Sequence, residues 1–146
     1  MKGSGATKKE VRFALWMIFA HYAVNATHGA AHSQLAIPLS RSQELFIVLV
    51  IVIAPVLAGA LIWRGIAFGG GLLLGASLAG ALVFGIWNHF VAISPDHVSH
   101  MPAAGSSLWK GVFQGTAILL VPTDALGCWA GLRLLKRSSA LTGAVH

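Results

Sequence analysis

Apolar residues dominate four long stretches of the chain, and short polar segments separate them. The stretches run from about 11 to 31, 45 to 63, 66 to 93 and 108 to 135. Each is close to the ~20 residues that a helix needs to cross about 30 Å of hydrocarbon. Such segments can satisfy their backbone polar groups in a bilayer only as helices. The pattern predicts an all-α polytopic membrane protein, a single-domain bundle of four transmembrane helices over residues 1–146 with flexible tails at 1–10 and 138–146.

Local signals agree with these boundaries. Ser40, followed three residues later by Gln43, is typical of a capping box that opens the second helix. Ser94-Pro95 ends the third span, because the residue before a proline is disfavoured in the helical conformation. Glycine pairs four residues apart predict close helix packing, either within the bundle or at a homodimer face. These pairs are Gly71 and Gly75, Gly111 and Gly115, and Gly127 and Gly131.

Composition and charge support the membrane interpretation. The chain is 56% hydrophobic and 10% charged, whereas a soluble domain carries about 25% charged residues. The net charge of +6 does not indicate a nucleic-acid partner, because the basic residues flank the apolar stretches, as they do in membrane proteins. Cys128 is the single cysteine, which excludes an intrachain disulfide.

The basic residues also predict the orientation of the chain. Arg41 and Lys110 are the only basic residues assigned to one side of the membrane. The other side carries Lys2, Lys8, Lys9, Arg12, Arg64, Arg133, Lys136 and Arg137. Cytoplasmic loops are enriched in Lys and Arg, so we expect both termini in the cytoplasm and the chain in the plasma (inner) membrane. As an alternative, the first stretch resembles a signal peptide with a cleavage site near Gly29-Ala30-Ala31.

A polar stripe interrupts the first apolar stretch. His21, Asn25, His28 and His32 are spaced by four, three and four residues, which places them within roughly 60° of one another on a helix. Imidazoles within a bilayer face the protein interior and mark metal sites, proton paths or bound ligands. The stripe is therefore a candidate functional surface.

The predicted topology brings further metal-ligand types to the outer end of this stripe. The candidate metal ligands are His28, His32, His89, Asp96, His97 and His100, with Met101 as a weaker seventh. Imidazole combined with carboxylate suits zinc, copper, iron or nickel. The sequence predicts a transition-metal site at the outer face, and the alternative is a hydrogen-bonded polar cap.

A second polar group is expected deeper in the bundle. Asp124 precedes Arg133 by nine residues and His21 follows Arg12 by nine, which places both at about the same depth. We expect Asp124 to contact His21, because an unpaired carboxylate in hydrocarbon is costly. The predicted polar path comprises His21, Asn25, Gln114 and Asp124. A buried lock between helices is the alternative interpretation.

Three functions fit this pattern. The first is capture or uptake of a transition metal at the outer face. The second is a redox subunit, quinone-linked or holding a b-type haem between His28 or His32 and His89, since such a haem takes axial imidazoles from two helices. The third is an accessory subunit without chemistry of its own. The predicted partners are the lipid bilayer and either further copies of the chain or a larger membrane complex.

Overall fold

The computed structural model describes residues 6–103 and 105–142, the final four for their backbone only. All regular structure in these ranges is helical, which confirms the all-α prediction. The four long helices are α1 (Lys8–Gln34), α2 (Arg41–Trp63), α3 (Ala67–Val91) and α4 (Ser107–Thr142). Helix α4 therefore continues into the predicted C-terminal tail, whereas residues 1–5 and 143–146 lie outside the described residues.

Three of the helices are long and apolar enough to cross a membrane. They are Arg41–Trp63, Ala67–Val91 and the Ser107–Ser138 part of α4. Helix α1 is not among them, because the polar stripe from His21 to His32 lowers its mean hydropathy. The prediction of four spans therefore stays a prediction.

Local capping determines where two helices begin. The Thr7 hydroxyl accepts a hydrogen bond from the Glu10 amide, and the Glu10 carboxylate accepts one from the Thr7 amide at 2.9 Å. This capping box starts α1 inside the predicted N-terminal tail. The predicted box of Ser40 and Gln43 is confirmed at the start of α2. Between α2 and α3 the chain turns at Gly65, whose φ of +82° favours glycine.

The helices alternate in direction and form a ring in which α1 and α3 each contact both α2 and α4. The contacts that define this order are Glu10–Arg137, His21–Asp124 and His28–Thr116 between α1 and α4; Gly71–Gly131 between α3 and α4; Phe46–Phe84 between α2 and α3; and His21–Ile51 between α1 and α2. Residue numbers rise in one partner as they fall in the other, so neighbouring helices are antiparallel. The C-terminal ends of α1 and α3 consequently lie at the same end of the bundle.

Two of the three glycine pairs bring α3 and α4 together. A Cβ atom added to Gly131 would lie 2.5 Å from the Gly75 nitrogen and 2.7 Å from the Gly71 carbonyl oxygen, so this contact requires glycine. The pair Gly111 and Gly115 has no neighbour within 4 Å of such an atom among the described residues. Its spacing matches that of the other pairs, but it lies on a face of α4 that none of the described helices covers.

Two helices contain π-helical segments that their sequences did not indicate. Ile47–Ile53 forms the first, within α2, and Trp87–Val91 forms the second, at the end of α3. In the second, the Ala92 amide donates to the Trp87 carbonyl five residues earlier, at 2.7 Å. This wider turn buries the adjacent side chains of Asn88 and His89. Turns of this kind are frequent at functional sites.

Candidate metal centre

A cluster of three histidines and one aspartate lies at the end of the bundle where α1 and α3 finish. Its members, which we call the His/Asp cluster, are His28, His32, His89 and Asp96. One ligand atom from each residue lies within 4.8 Å of the others. The side chains come from α1, α3 and the loop between α3 and α4, so the folded bundle assembles the cluster from distant parts of the sequence.

Helix α1 contributes two imidazoles because His28 and His32 are one helical turn apart. Their ring centroids lie 4.9 Å apart, and the His28 ring lies 4.7 Å from that of His89. All three rings pack on Phe113 of α4, which is fully buried. Phe113 therefore gives the three imidazoles a common packing surface.

The loop after α3 folds back against the last turn of that helix. The Val98 amide donates to the His89 carbonyl at 3.0 Å, and His89 Nδ1 donates to the backbone carbonyl of Asp96 at 3.0 Å. These two hydrogen bonds turn the Asp96 side chain inward, where it is 3% exposed.

Asp96 is a carboxylate held between two imidazoles. Its Oδ1 lies 2.9 Å from His32 Nε2 and 3.3 Å from His89 Nδ1. Burial raises the pKa of Asp96, but the close contacts of its carboxylate with the imidazoles of His32 and His89 outweigh burial and hold that pKa well below its usual range. The group is therefore ionised at neutral pH.

Several buried polar atoms of the cluster lack a well-aligned hydrogen bond in the described structure. They are His28 Nε2, His32 Nδ1 and both carboxylate oxygens of Asp96. Oδ1 is within ion-pair distance of His32, but the contact does not have hydrogen-bond geometry. Buried polar atoms without a partner cost about 1–3 kcal/mol each. Four of them in one cluster form a donor set that fits a metal ion.

The hydrogen bonds around the cluster determine which ring nitrogens carry protons. The Thr116 hydroxyl donates to the Val112 carbonyl at 2.6 Å, so its oxygen accepts from His28 Nδ1 at 2.8 Å. Nδ1 of His28 and of His89 thus carry hydrogens, which leaves Nε2 of each ring as the nitrogen that can bind a metal. Metal-ligating histidines almost always donate their second N–H in this way.

Replacing Thr116 by valine is expected to weaken zinc binding by about tenfold, because His28 loses the acceptor that orients its ring. The dissociation constant of detergent-purified protein, measured by competition with a chromophoric chelator, checks this. T123V is the matched control, since the Thr123 hydroxyl is on the same helix but donates only to the Leu119 carbonyl. Equal affinity in T116V and the parent protein would contradict the assigned role of Thr116.

The structure does not place His97 and His100 with the other candidate ligands. Hydrogen bonds from the His97 amide to Ser94 and from the His100 amide to His97 form tight turns after Asp96. The two imidazoles instead face each other, with their Nδ1 atoms 3.1 Å apart, and His100 is exposed. Met101 packs against the apolar group around Phe113. The loop is at the predicted end of the bundle, but its turns direct only Asp96 into the cluster.

Deeper in the bundle, His21 and Asp124 are in contact, as expected from their depth. His21 Nδ1 lies 2.7 Å from Asp124 Oδ1, and the residues are 0% and 3% exposed. His21 Nε2 donates to the Ile51 carbonyl at 2.9 Å. Pro55 explains why this carbonyl is available: it has no N–H to donate to the residue four positions earlier. Asn25 lies beside the pair, donating to the His21 carbonyl at 3.0 Å.

Gln114, the fourth residue of the predicted polar path, lies elsewhere. Its side chain is exposed and donates to the Val98 carbonyl at 2.9 Å. Gln114 is on a different face of α4 from Asp124, so it holds the loop rather than lining the cavity.

One cavity of about 210 Å³ connects the two polar groups. All four members of the His/Asp cluster line it, and so do Asn25 and Asp124. Its walls between them are apolar and include Ile51, Ala81 and Leu120. The His/Asp cluster and Asp124 of the inner pair therefore line one cavity.

Sequence reasoning missed three contributors to these sites: Phe113, Thr116 and the Ile51 carbonyl. Pro55 could have indicated the free Ile51 carbonyl, because a proline within a helix leaves the carbonyl four residues earlier without its hydrogen bond. Phe113 and Thr116 are three residues apart and share a helix face, but nothing in their spacing indicated that this face meets the histidines.

No family model, curated protein or solved structure matches this chain.

Proposed function

We propose that this chain is an integral membrane protein that binds a transition-metal ion at the His/Asp cluster and handles that ion at the outer face of the membrane. The convergence of four buried ligand atoms within 4.8 Å, from three separate segments, carries the proposal. A polar cap would satisfy its own hydrogen bonds, whereas here His28 Nε2, His32 Nδ1 and both Asp96 oxygens lack well-aligned partners.

The ligand set favours a borderline metal. Three imidazoles with one carboxylate suit zinc, iron, nickel or copper and offer no soft thiolate. The ion would act as a Lewis acid at this position or be held as cargo. A haem is less favoured, because its macrocycle would have to separate His28 and His89, whose ring centroids are 4.7 Å apart and which both pack on Phe113.

The packing of α1 supports a fourth membrane span. Its 27 residues extend about 40 Å and lie along α4 from the Glu10–Arg137 pair to the His28–Thr116 contact. The polar stripe is turned towards the bundle, where His21 is fully buried. The exposed residues between 16 and 30 are Trp16, Phe19, Ala23, Ala26, Thr27, Gly29 and Ala30, none of them charged. The surface offered to lipid is therefore apolar despite the low mean hydropathy of α1.

The charge distribution supports cytoplasmic termini in the plasma membrane. The start of α1, the α2–α3 turn and the end of α4 lie at one end of the bundle and carry most of the basic residues, whereas Arg41 and Lys110 lie at the other end. With the basic end inside, the His/Asp cluster opens towards the outer face. Capture of a divalent transition-metal cation from that side is the function this geometry supports best.

Elemental analysis of detergent-purified protein tests the proposal. We expect about one transition-metal ion per chain, or the same ratio after chelation and reloading with zinc, and a visible spectrum without a Soret band. A Soret band would favour the haem-containing redox subunit instead. Thermal unfolding verifies that the reloaded protein is folded. If folded protein then holds far less than one metal ion per chain, an accessory subunit without a metal is favoured.

A further inference from the structure

We propose that the His21–Asp124 pair is a proton-exchange site coupled through the shared cavity to the ion at the His/Asp cluster, so that the protein binds its cation in exchange for a proton. This inference rests on the proposed metal-binding function and adds a second activity to it.

The hydrogen bonds of the pair define its proton content. A backbone carbonyl only accepts, so the hydrogen bond from His21 Nε2 to Ile51 places a hydrogen on Nε2. The 2.7 Å contact between His21 Nδ1 and Asp124 Oδ1 then holds one further proton. That proton resides on nitrogen, as imidazolium with carboxylate, or on oxygen, as neutral imidazole with carboxylic acid. Both forms are neutral overall, and loss of the proton leaves the pair with one negative charge.

A cation in the cluster favours this loss. His21 and His28 are seven residues apart on α1, which corresponds to about 10 Å along the helix axis. The cavity walls between them are apolar and screen charge poorly. At an effective dielectric constant near 20, each positive charge added to the cluster weakens proton binding by the pair by about tenfold. By linkage, the deprotonated pair strengthens the binding of a divalent cation, which adds two positive charges, by about 100-fold. The exchange is balanced: one divalent cation enters, one proton leaves Nδ1 or Oδ1 into the cavity, and the internal charge rises by one.

Few other titratable groups near the His21–Asp124 pair could release a proton when a cation binds. Of the titratable residues on α1, Tyr22 is adjacent and directs its hydroxyl to the Val52 carbonyl, while His28 and His32 belong to the cluster. Helix α2 offers the Ile51 carbonyl and no titratable side chain to the described cavity lining. Helix α3 offers His89 of the cluster, and α4 offers Asp124 itself. Asn25 lies between pair and cluster, and the cavity has room for several water molecules that could carry the proton past it.

Proton release on adding zinc ions to detergent-purified, weakly buffered protein tests this inference. We expect D124N to release about one proton fewer per zinc than the parent protein and to bind zinc about 10- to 100-fold more weakly, depending on how far the parent pair is deprotonated. The affinity difference should grow with pH, because only the parent pair becomes negative. H21Q is a second variant, which removes the imidazole that shares this proton with Asp124. Y22F is the matched control, since it removes a neighbouring polar group while leaving the pair intact.

The outcomes separate the two proposals. If the parent protein does not bind zinc, the metal-binding function fails. If D124N and H21Q are folded, bind zinc at the cluster and match the parent in proton release and affinity, then the pair is only a structural lock and the exchange proposal is wrong.

Discussion

Replacing His28 by alanine is expected to weaken zinc binding by at least about 100-fold. Loss of groups that merely orient a ligand costs 10–100-fold in metal affinity, and His28 is itself one of the four ligand candidates. Its ring also contacts His32, His89 and Phe113, so its removal takes away support for the other two imidazoles. Zinc affinity measured by chelator competition, with thermal unfolding to verify the fold, checks this expectation.

The double variant H97A/H100A is the control for this measurement. It removes two imidazoles from the same end of the bundle, but both lie outside the His/Asp cluster. We expect its zinc affinity to stay within about twofold of the parent value, since these two imidazoles contact each other and are not hydrogen-bonded to the ligands that they would have to orient. A loss as large as that of H28A would mean that the loop histidines belong to the binding site.

Replacing Gly131 by alanine is expected to lower the free energy of unfolding by about 3 kcal/mol or more. The added methyl group would lie 2.5 Å from the Gly75 nitrogen and 2.7 Å from the Gly71 carbonyl oxygen. These are backbone atoms of α3, so the clash is relieved only if the two helices move apart. Unfolding in mixed detergent micelles, followed by circular dichroism, measures the effect.

Gly115 provides the matched control on the same helix. A methyl group there meets nothing within 4 Å among the described residues, and alanine is the better helix former by up to about 1 kcal/mol. G115A should therefore be as stable as the parent protein or slightly more stable. If G131A and G115A had equal stability, the close approach of α3 and α4 would be in doubt.

The positions of the helical site residues could be predicted from the sequence, because in a helix the spacing of two residues determines the angle between their side chains. The 3.6-residue period puts His28 and His32 on one face, and alternating helix directions bring His89 to the same end. Counting residues from the basic ends was enough to pair His21 with Asp124, whose contact is confirmed at 2.7 Å. These deductions needed only the period, the rise per residue and the order of the helices.

The loop and the helix faces could not be placed in this way. Asp96, His97 and His100 are equally good ligand candidates by type, but hydrogen bonds between the loop and His89 select Asp96, and no period governs a loop. The glycine pairs show the same limit. Gly127–Gly131 and Gly111–Gly115 share one motif on one helix, yet only a knowledge of which face meets α3 distinguishes them.

Val98 has a consequence for how quickly an ion could be exchanged. Its amide is fastened to the His89 carbonyl and its carbonyl to the side chain of Gln114. Asp96 is two residues away on the same short loop and is itself bonded to His89, so we expect these bonds together to limit how often the carboxylate leaves the cluster while the helices stay packed. The residence time of an ion at the cluster would then depend on the hydrogen bonds of this short loop. Substitutions in the loop could change that time without altering the bundle or the three imidazoles.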